Sequence, residues 1–508
     1  MSDNLFDLLQ RSITAADAPA IETLAGERIS YGDLIARTGR MANALVALGV
    51  SPGDRVAVQV EKSVEAIILY LATVRAGGVF LPLNTGYTPV EIEYFVTDAK
   101  PRIFVCDPAR TAALQPVAEK AGAALMTLDA DGRGSLSDAA AAAPAEFATV
   151  PREAGDLAAL LYTSGTTGRS KGAMLTHGNL VSNSMALRTA WKYTASDVLI
   201  HALPIFHTHG LFVATNVTLF SGASMIFLPK FDPARIMTLM GRATVLMGVP
   251  TFYVRLLHEP TLDRETTAGM RVFISGSAPL LAETHREWQA RTGHAILERY
   301  GMTETNMNVS NPYDGRRIAG TVGFPLPGVE VKITDPETGA ELPRGEIGMI
   351  EVRGPNVFSG YWQMPEKTAA ELRENGFFIT GDLGRFDDQG YLHIVGRGKD
   401  LIITGGYNVY PKEIETEIDA LPGVTESAVI GLPHRDFGEG VTAVVVGAAP
   451  PSEAEVLAAL ESRLARFKLP KRVLFIEDLP RNTMGKVQKN LLRDRFAGLY
   501  DEGSAPGA

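Results

Sequence analysis

Tyr162-Thr-Ser-Gly-Thr-Thr-Gly-Arg-Ser-Lys171-Gly172 is the stretch on which the fold of this chain turns. It follows directly on an apolar strand, residues 158–162 (AALLY). Small residues let backbone N–H groups face an anion, the hydroxyls add donors, and Lys171 adds charge. Such a loop is suited to wrapping a polyphosphate. It is not a Walker loop, which needs Gly directly before Lys and Ser or Thr after it. Here Ser170 precedes Lys171 and Gly172 follows.

Upstream of this loop the pattern alternates. Residues 31–48 place Leu34, Met41, Leu45 and Leu48 at helical spacing, and residues 55–60 (RVAVQV) form a short strand. A helix over 63–75, a strand over 79–83, a helix over 89–98 and a strand over 102–106 complete a βαβα series. That rhythm predicts a mostly parallel sheet covered by helices. A second αβ series follows, with apolar strands at 158–162, 224–228, 245–248 and 272–275. Beyond Gly320 the chain turns rich in Gly and Pro with short alternating strands, which predicts antiparallel, barrel-like β structure. From about Tyr391 a small α+β unit is expected: strands at 400–403, 427–431, 441–447 and 472–476, a helix over 411–421, and a helix opened by a Ser452/Glu455 capping box.

The 508 residues suffice for about three domain-sized units. With 45% apolar and 21% charged residues the chain is globular rather than disordered. Acids outnumber bases 58 to 48, so it is a poor non-specific binder of nucleic acid. The one cysteine, Cys106, excludes an internal disulfide framework and Cys-rich metal sites, and fits a reducing compartment. The start carries Asp3 and Asp7 and lacks a basic n-region with a long apolar core. The most apolar stretch, residues 66–83, is broken by Arg75 and a Gly pair, so it reads as helix, turn and strand rather than a membrane span. A cytoplasmic protein with no membrane partner is expected.

Four further motifs follow the loop in order. They are Tyr300-Gly-Met-Thr-Glu304-Thr305, Thr380-Gly-Asp382-Leu383-Gly384, Gly396-Arg397-Gly-Lys399-Asp400 with Gly405-Gly406-Tyr407-Asn408, and Pro480-Arg-Asn-Thr-Met-Gly485-Lys486. Glu304 offers a hard carboxylate for Mg²⁺, which keeps waters and phosphates as its other ligands. Asp382 offers an acceptor pair for a ribose diol. Lys486 is a point cation on a long stem, suited to oxygens that gain negative charge during reaction. His207 and His209 have HxH spacing but no nearby third zinc ligand.

Together with the opening loop, these motifs resemble those of the adenylate-forming superfamily of acyl-CoA synthetases, luciferases and peptide-synthetase adenylation domains. The resemblance covers almost the whole chain. It implies a large N-terminal domain with αβα-type sheets and a barrel-like part (residues 1–396), a hinge (397–400) at Lys399, and a small mobile α+β lid (401–508) carrying Lys486. It implies ATP binding by Thr163, Ser164, Gly165, Thr166, Thr167, Gly168, Lys171, Ser277, Ala278, Glu298, Tyr300, Gly301, Met302, Thr303, Asp382 and Arg397. Glu304 and Thr163 would serve Mg²⁺, and Lys171, His207 and Lys486 the catalysis, with His207 gating the acyl site. Lys486 is also a candidate for an acetyltransferase and deacetylase.

Specificity rests on the acyl pocket. Arg299, next to Tyr300, suits a second carboxylate better than a fatty tail, because an unpaired guanidinium is costly to bury. Glu298 or a phosphate is the alternative partner. Arg255 and His209 are further carboxylate candidates. Residues 298–305, with Ser275-Gly-Ser-Ala-Pro-Leu280, are similar to malonyl-CoA synthetases within that superfamily. The implied reaction joins malonate, or methylmalonate, to CoA with ATP going to AMP and pyrophosphate. The alternatives are a medium-chain or aryl-CoA synthetase, or a stand-alone adenylation enzyme loading a carrier protein.

Overall fold

The structure is a computed structural model. It describes residues 2–163, 170–404, 407–434, 437–461, 463–464, 466–482 and 485–500, with 407 and 408 described by backbone alone. The chain forms two compact units. One runs to Ala319 and adds Gly323–Val331 and Val352–Phe378; the other takes Gly320–Val322, Lys332–Glu351 and the chain from Ile379 onward.

Two sheets carry the first unit. In one, the strands follow the order Ala124–Thr127, Ile103–Cys106, Arg55–Gln59, Val79–Pro82, Leu157–Thr163, Lys171–Thr176. All pairs are parallel except the last, which is antiparallel with Thr163 opposite Lys171. The strand Lys171–Thr176 was not expected from the sequence, where polar and small residues mask its period. The second sheet has nine strands, among them the parallel run Leu297–Met302, Val272–Ser275, Val245–Gly248, Val198–His201, Ser224–Phe227 and Pro19–Thr23.

The apolar stretch that imitates a membrane span is the helix Val64–Arg75 followed by the strand Val79–Pro82. Every residue of that helix except Glu65 is buried, which is why its apolar character runs all round instead of along one face. Arg75 closes it by donating to the Ile35 and Phe147 carbonyls. Among the described residues no helix is long and apolar enough to cross a membrane.

The Gly- and Pro-rich stretch carries a four-stranded sheet ordered Glu330–Thr334, Gly348–Arg353, Phe378–Phe386, Leu392–Arg397. Asp382 lies inside Phe378–Phe386, directly opposite Arg397. This pairing also explains why the second unit begins near Ile379, upstream of the 397–400 segment: two strands before the hinge motif are tied by hydrogen bonds.

The rest of the second unit is a five-stranded sheet between two apolar layers. Strands Glu426–His434 and Gly438–Val446 alternate with period two. Val429, Val441, Ala443 and Val445 face Ile414, Ile418, Val456 and Leu460. Ala428, Ile430, Leu432 and Val444 face Leu479 and Leu492. Helices Pro411–Asp419, Glu453–Glu461 and Lys489–Phe496 supply those layers, and Ser452 and Glu455 form the expected cap.

Glu415 is buried in this unit. It accepts from Lys489 Nζ at 2.5 Å and from the Val429 N–H at 2.9 Å. Lys489→Met therefore strands a buried carboxylate and is expected to cost about 3 kcal/mol, read as a lower denaturant midpoint of the whole chain. A Lys489→Met/Glu415→Met double variant should recover most of the loss.

Candidate active site

The hairpin formed by Leu157–Thr163 and Lys171–Thr176 holds the ends of the polyphosphate-type loop. Ser164, Gly165, Thr166, Thr167 and Gly168 lie outside the described residues. Thr163 Oγ1 donates to the Lys171 carbonyl at 3.4 Å, and Tyr94 Oη donates to the Ser170 carbonyl at 2.8 Å. Lys171 Nζ lies 3.4 and 3.3 Å from the two Glu371 carboxylate oxygens and 4.1 Å from the centre of the Tyr361 ring. Tyr361 Oη lies 2.6 Å from Glu371 Oε2 and 3.1 Å from Glu304 Oε1. Burial alone would raise the Glu371 carboxyl, but hydrogen bonds from Lys367 and Tyr361 and the charge of Lys171 outweigh it and hold it below its usual value.

The strand Leu297–Met302 delivers Glu298, Arg299, Tyr300 and Gly301, and a tight return to Asn306–Ser310 buries Glu304 in the turn. Gly301 is required there, since a Cβ would sit 1.9 Å from the Asn306 carbonyl oxygen. Met302 and Thr303 are half-buried at the start of that turn.

Arg299 is only 3% exposed. Its guanidinium lies against Gly276, where a Cβ would be 2.4 Å from its Cζ. Among the described residues no carboxylate pairs with it, and its Nε and Nη2 are buried without a hydrogen-bond partner. Burial brings it down to about 9. Glu298 is not its partner: Glu298 Oε1 accepts from the Leu280 N–H at 3.1 Å.

Two histidines face this guanidinium. Burial, reinforced by the Arg299 charge, brings His207 down to about 4 and His209 well below its usual value, so both rings are neutral at pH 7. The His209 N–H donates to His207 Nδ1 at 3.4 Å, which assigns the His207 ring proton to Nε2. His209 Nδ1 lies 3.2 Å from Ser277 Oγ, and its Nε2 is buried without a partner. Ser277 holds φ +73°, a costly region for a residue with a side chain and one that clusters at ligand sites. Half-buried Ala278 follows it. His209 opens a π-helical turn, His209–Thr215. Gly210 permits that turn to pass the Pro204 carbonyl, 1.9 Å from where a Cβ would be.

Arg255 does not join this cluster. The helix Pro250–Leu257 buries Phe252, Tyr253, Leu256 and Leu257, and Arg255 falls on its exposed face. Tyr253, which the sequence reading passed over, is the buried residue of that helix near Arg299; its hydroxyl donates to the Ile274 carbonyl at 2.6 Å. Tyr361 and Glu371 were missed for a different reason. Glu371 is 200 residues from Lys171, and no local pattern joins them.

In the second unit the chain brings four expected residues into one electrostatic neighbourhood. Arg397 Nε lies 2.7 Å from Asp382 Oδ1. Lys486 is brought down to about 8, first by burial, then by Arg397 and Lys399, against the opposing pull of Asp382 and Asp400. Burial likewise lowers Lys399. The backbone around Lys486 is held by Asn482, whose Oδ1 accepts from the Lys486 N–H at 3.0 Å.

In the first unit the structure thus places Lys171 at the end of a hairpin, Glu304 in a turn, and a buried arginine beside two neutral histidines. Residues 10–362 match the family described as AMP-binding enzyme, and residues 413–486 match the AMP-binding enzyme C-terminal domain. The chain belongs to this adenylate-forming family. In fold it is similar to ATP-bound MatB from Rhodopseudomonas palustris, with TM-score 0.97 and 67% identity over 99% of this chain and 100% of that one. It is 34% identical to a malonate–CoA ligase of Arabidopsis thaliana, over 92% of this chain and 84% of the relative. It is 37% identical to a feruloyl-CoA synthase from Amycolatopsis, over 93% and 94% respectively.

Gly276→Ala would push the Arg299 guanidinium from its bed. Acid-dependent ATP–pyrophosphate exchange is expected to fall by about 10²-fold, with ATP affinity unchanged by equilibrium binding.

Proposed function

We propose that this protein is an ATP-dependent acid–thiol ligase that makes malonyl-CoA from malonate and CoA, and accepts methylmalonate. The carrying observation is Arg299, a buried guanidinium without an anionic partner among the described residues, flanked by two neutral histidines. Likeness to a malonate–CoA ligase and to MatB supports the same substrate. One charge-assisted contact contributes about 1.5–3 kcal/mol, roughly 10–150-fold in selection, enough to favour a second carboxylate over a methyl group.

In this mechanism the distal carboxylate of malonate rests on Arg299, with His207 and His209 as neutral hydrogen-bonding neighbours. The other carboxylate oxygen attacks the α-phosphorus of ATP, and pyrophosphate leaves. Lys171 and the loop from Thr163 to Gly168 hold the β- and γ-phosphates. Ser277, Ala278, Glu298, Tyr300, Gly301, Met302 and Thr303 line the nucleotide, and Asp382 with Arg397 takes the ribose. Lys486 offsets the charge that develops on the carboxylate and α-phosphate oxygens. The CoA thiol then attacks the acyl carbon, and AMP leaves.

Among the described residues no three His, Cys, Asp or Glu side chains converge as a metal site. That fits Mg²⁺, which needs only one or two protein carboxylates beside phosphate and water oxygens. Glu304, with Thr163, would hold it, and it would neutralise phosphate charge.

The segment after Lys399 is proposed to turn between the two steps, so that Lys486 serves the first step only. A cytoplasmic site of action and an acetyltransferase–deacetylase pair acting on Lys486 belong to the same proposal. The low value of its amine, about 8, leaves a nucleophilic fraction near neutral pH.

With MgATP and CoA, AMP release is expected to favour malonate over acetate, octanoate and benzoate, and Arg299→Ala should remove that preference. A stronger response to a monocarboxylate would overturn the dicarboxylate assignment. Lys486→Ala should abolish adenylation yet spare thioester formation from supplied malonyl-AMP. Because the Lys486 ammonium titrates near 8, adenylation should decline as pH rises through that value while the second half-reaction does not.

A further inference from the structure

The contacts around Lys171 contain a group that the reaction as described does not use. Glu371, at the end of the helix Pro365–Glu371, meets Lys171 through both of its oxygens and also accepts from Lys367 Nζ at 2.8 Å. The same carboxylate shares the Tyr361 hydroxyl with Glu304. A tyrosine hydroxyl has one hydrogen, so it can donate to only one of these two carboxylates at a time.

We propose that Glu371 is a positioning residue that acts as the resting counter-ion of Lys171. The inference rests on the proposal that Lys171 grips the ATP polyphosphate. Polyphosphate must then displace an anion already seated on Lys171, so Glu371 weakens ATP binding. Once Lys171 is drawn away, Glu371 keeps the Lys367 ammonium and the Tyr361 hydroxyl, which lies nearer to it, at 2.6 Å, than to Glu304, at 3.1 Å.

The sign of that effect separates it from a structural role. A residue that merely holds Lys171 in place would weaken ATP binding when removed. Glu371→Gln, measured by calorimetric binding of ATP in EDTA, is instead expected to bind ATP about threefold to tenfold more tightly than the unaltered protein. Lys367→Gln should do the reverse, because Glu371 then grips Lys171 harder. In the Lys367→Gln/Glu371→Gln double variant the Lys367 effect should vanish. Unchanged or weaker binding by Glu371→Gln, or a Lys367→Gln effect that persists in the double variant, overturns the proposal. If the unaltered protein binds no ATP with Mg²⁺ present, the ligase reading fails instead, which separates the two.

Discussion

A guanidinium buried beside a glycine, without a carboxylate partner among the described residues, is the constraint on which the proposed acid site depends. Removing such a charge from water costs several kcal/mol unless something pairs with it. The fold meets that cost locally in only a limited way. Gly276 gives Arg299 a flat bed, Tyr253 lies nearby, and the two histidines are kept neutral so that no second positive charge is added. Among the described residues no anion pairs with Arg299. In the proposed function such a site would be complementary to a substrate that brings its own second carboxylate. It would penalise one that brings a methyl or a ring, because the unmet donors of Arg299 would then stay unmet.

The phosphate side is built on the opposite plan. Lys171 has a seated counter-ion in Glu371, and Glu304 and Glu371 are joined through one tyrosine hydroxyl. Charge is balanced there within the protein, so in the proposed function a phosphate would bind by exchange of partners. The difference follows from exposure. Lys171 and Glu371 keep about a fifth of their side-chain surface in water, 19% and 23%, so swapping an ion pair is inexpensive. Arg299 is sealed in, with no carboxylate partner among the described residues.

Much of the architecture was legible from local rules. The strands at 245–248 and 272–275 match their sequence reading residue for residue, because short apolar runs between turn signals have one economical placement in a covered parallel sheet. The Ser452/Glu455 capping box and the helix from Tyr31 were legible because their signals lie within three or four residues. The strand Lys171–Thr176 was not legible, since its pairing with Leu157–Thr163 comes from tertiary closure rather than composition. Arg255 was misjudged because a helix with an unknown starting phase leaves the buried face undecided; with Pro250 as its first residue, Tyr253 turns inward and Arg255 outward.

By itself the sequence determined the chemistry on offer. The ordered motifs offered a lysine suited to phosphate, a carboxylate suited to a hard cation, an aspartate suited to a ribose diol and an arginine suited to a second carboxylate. Those are properties of residue type and short spacing, which the chain carries before it folds. Only the tertiary structure decided which of these groups are charged, neutral, paired or waiting. It left Arg299 without an anion among the described residues, gave Lys171 to Glu371, and gathered Asp382, Arg397, Lys399 and Lys486 in one field. Such outcomes depend on burial and on contacts across up to 200 residues of chain, and neither is written in any local window of sequence.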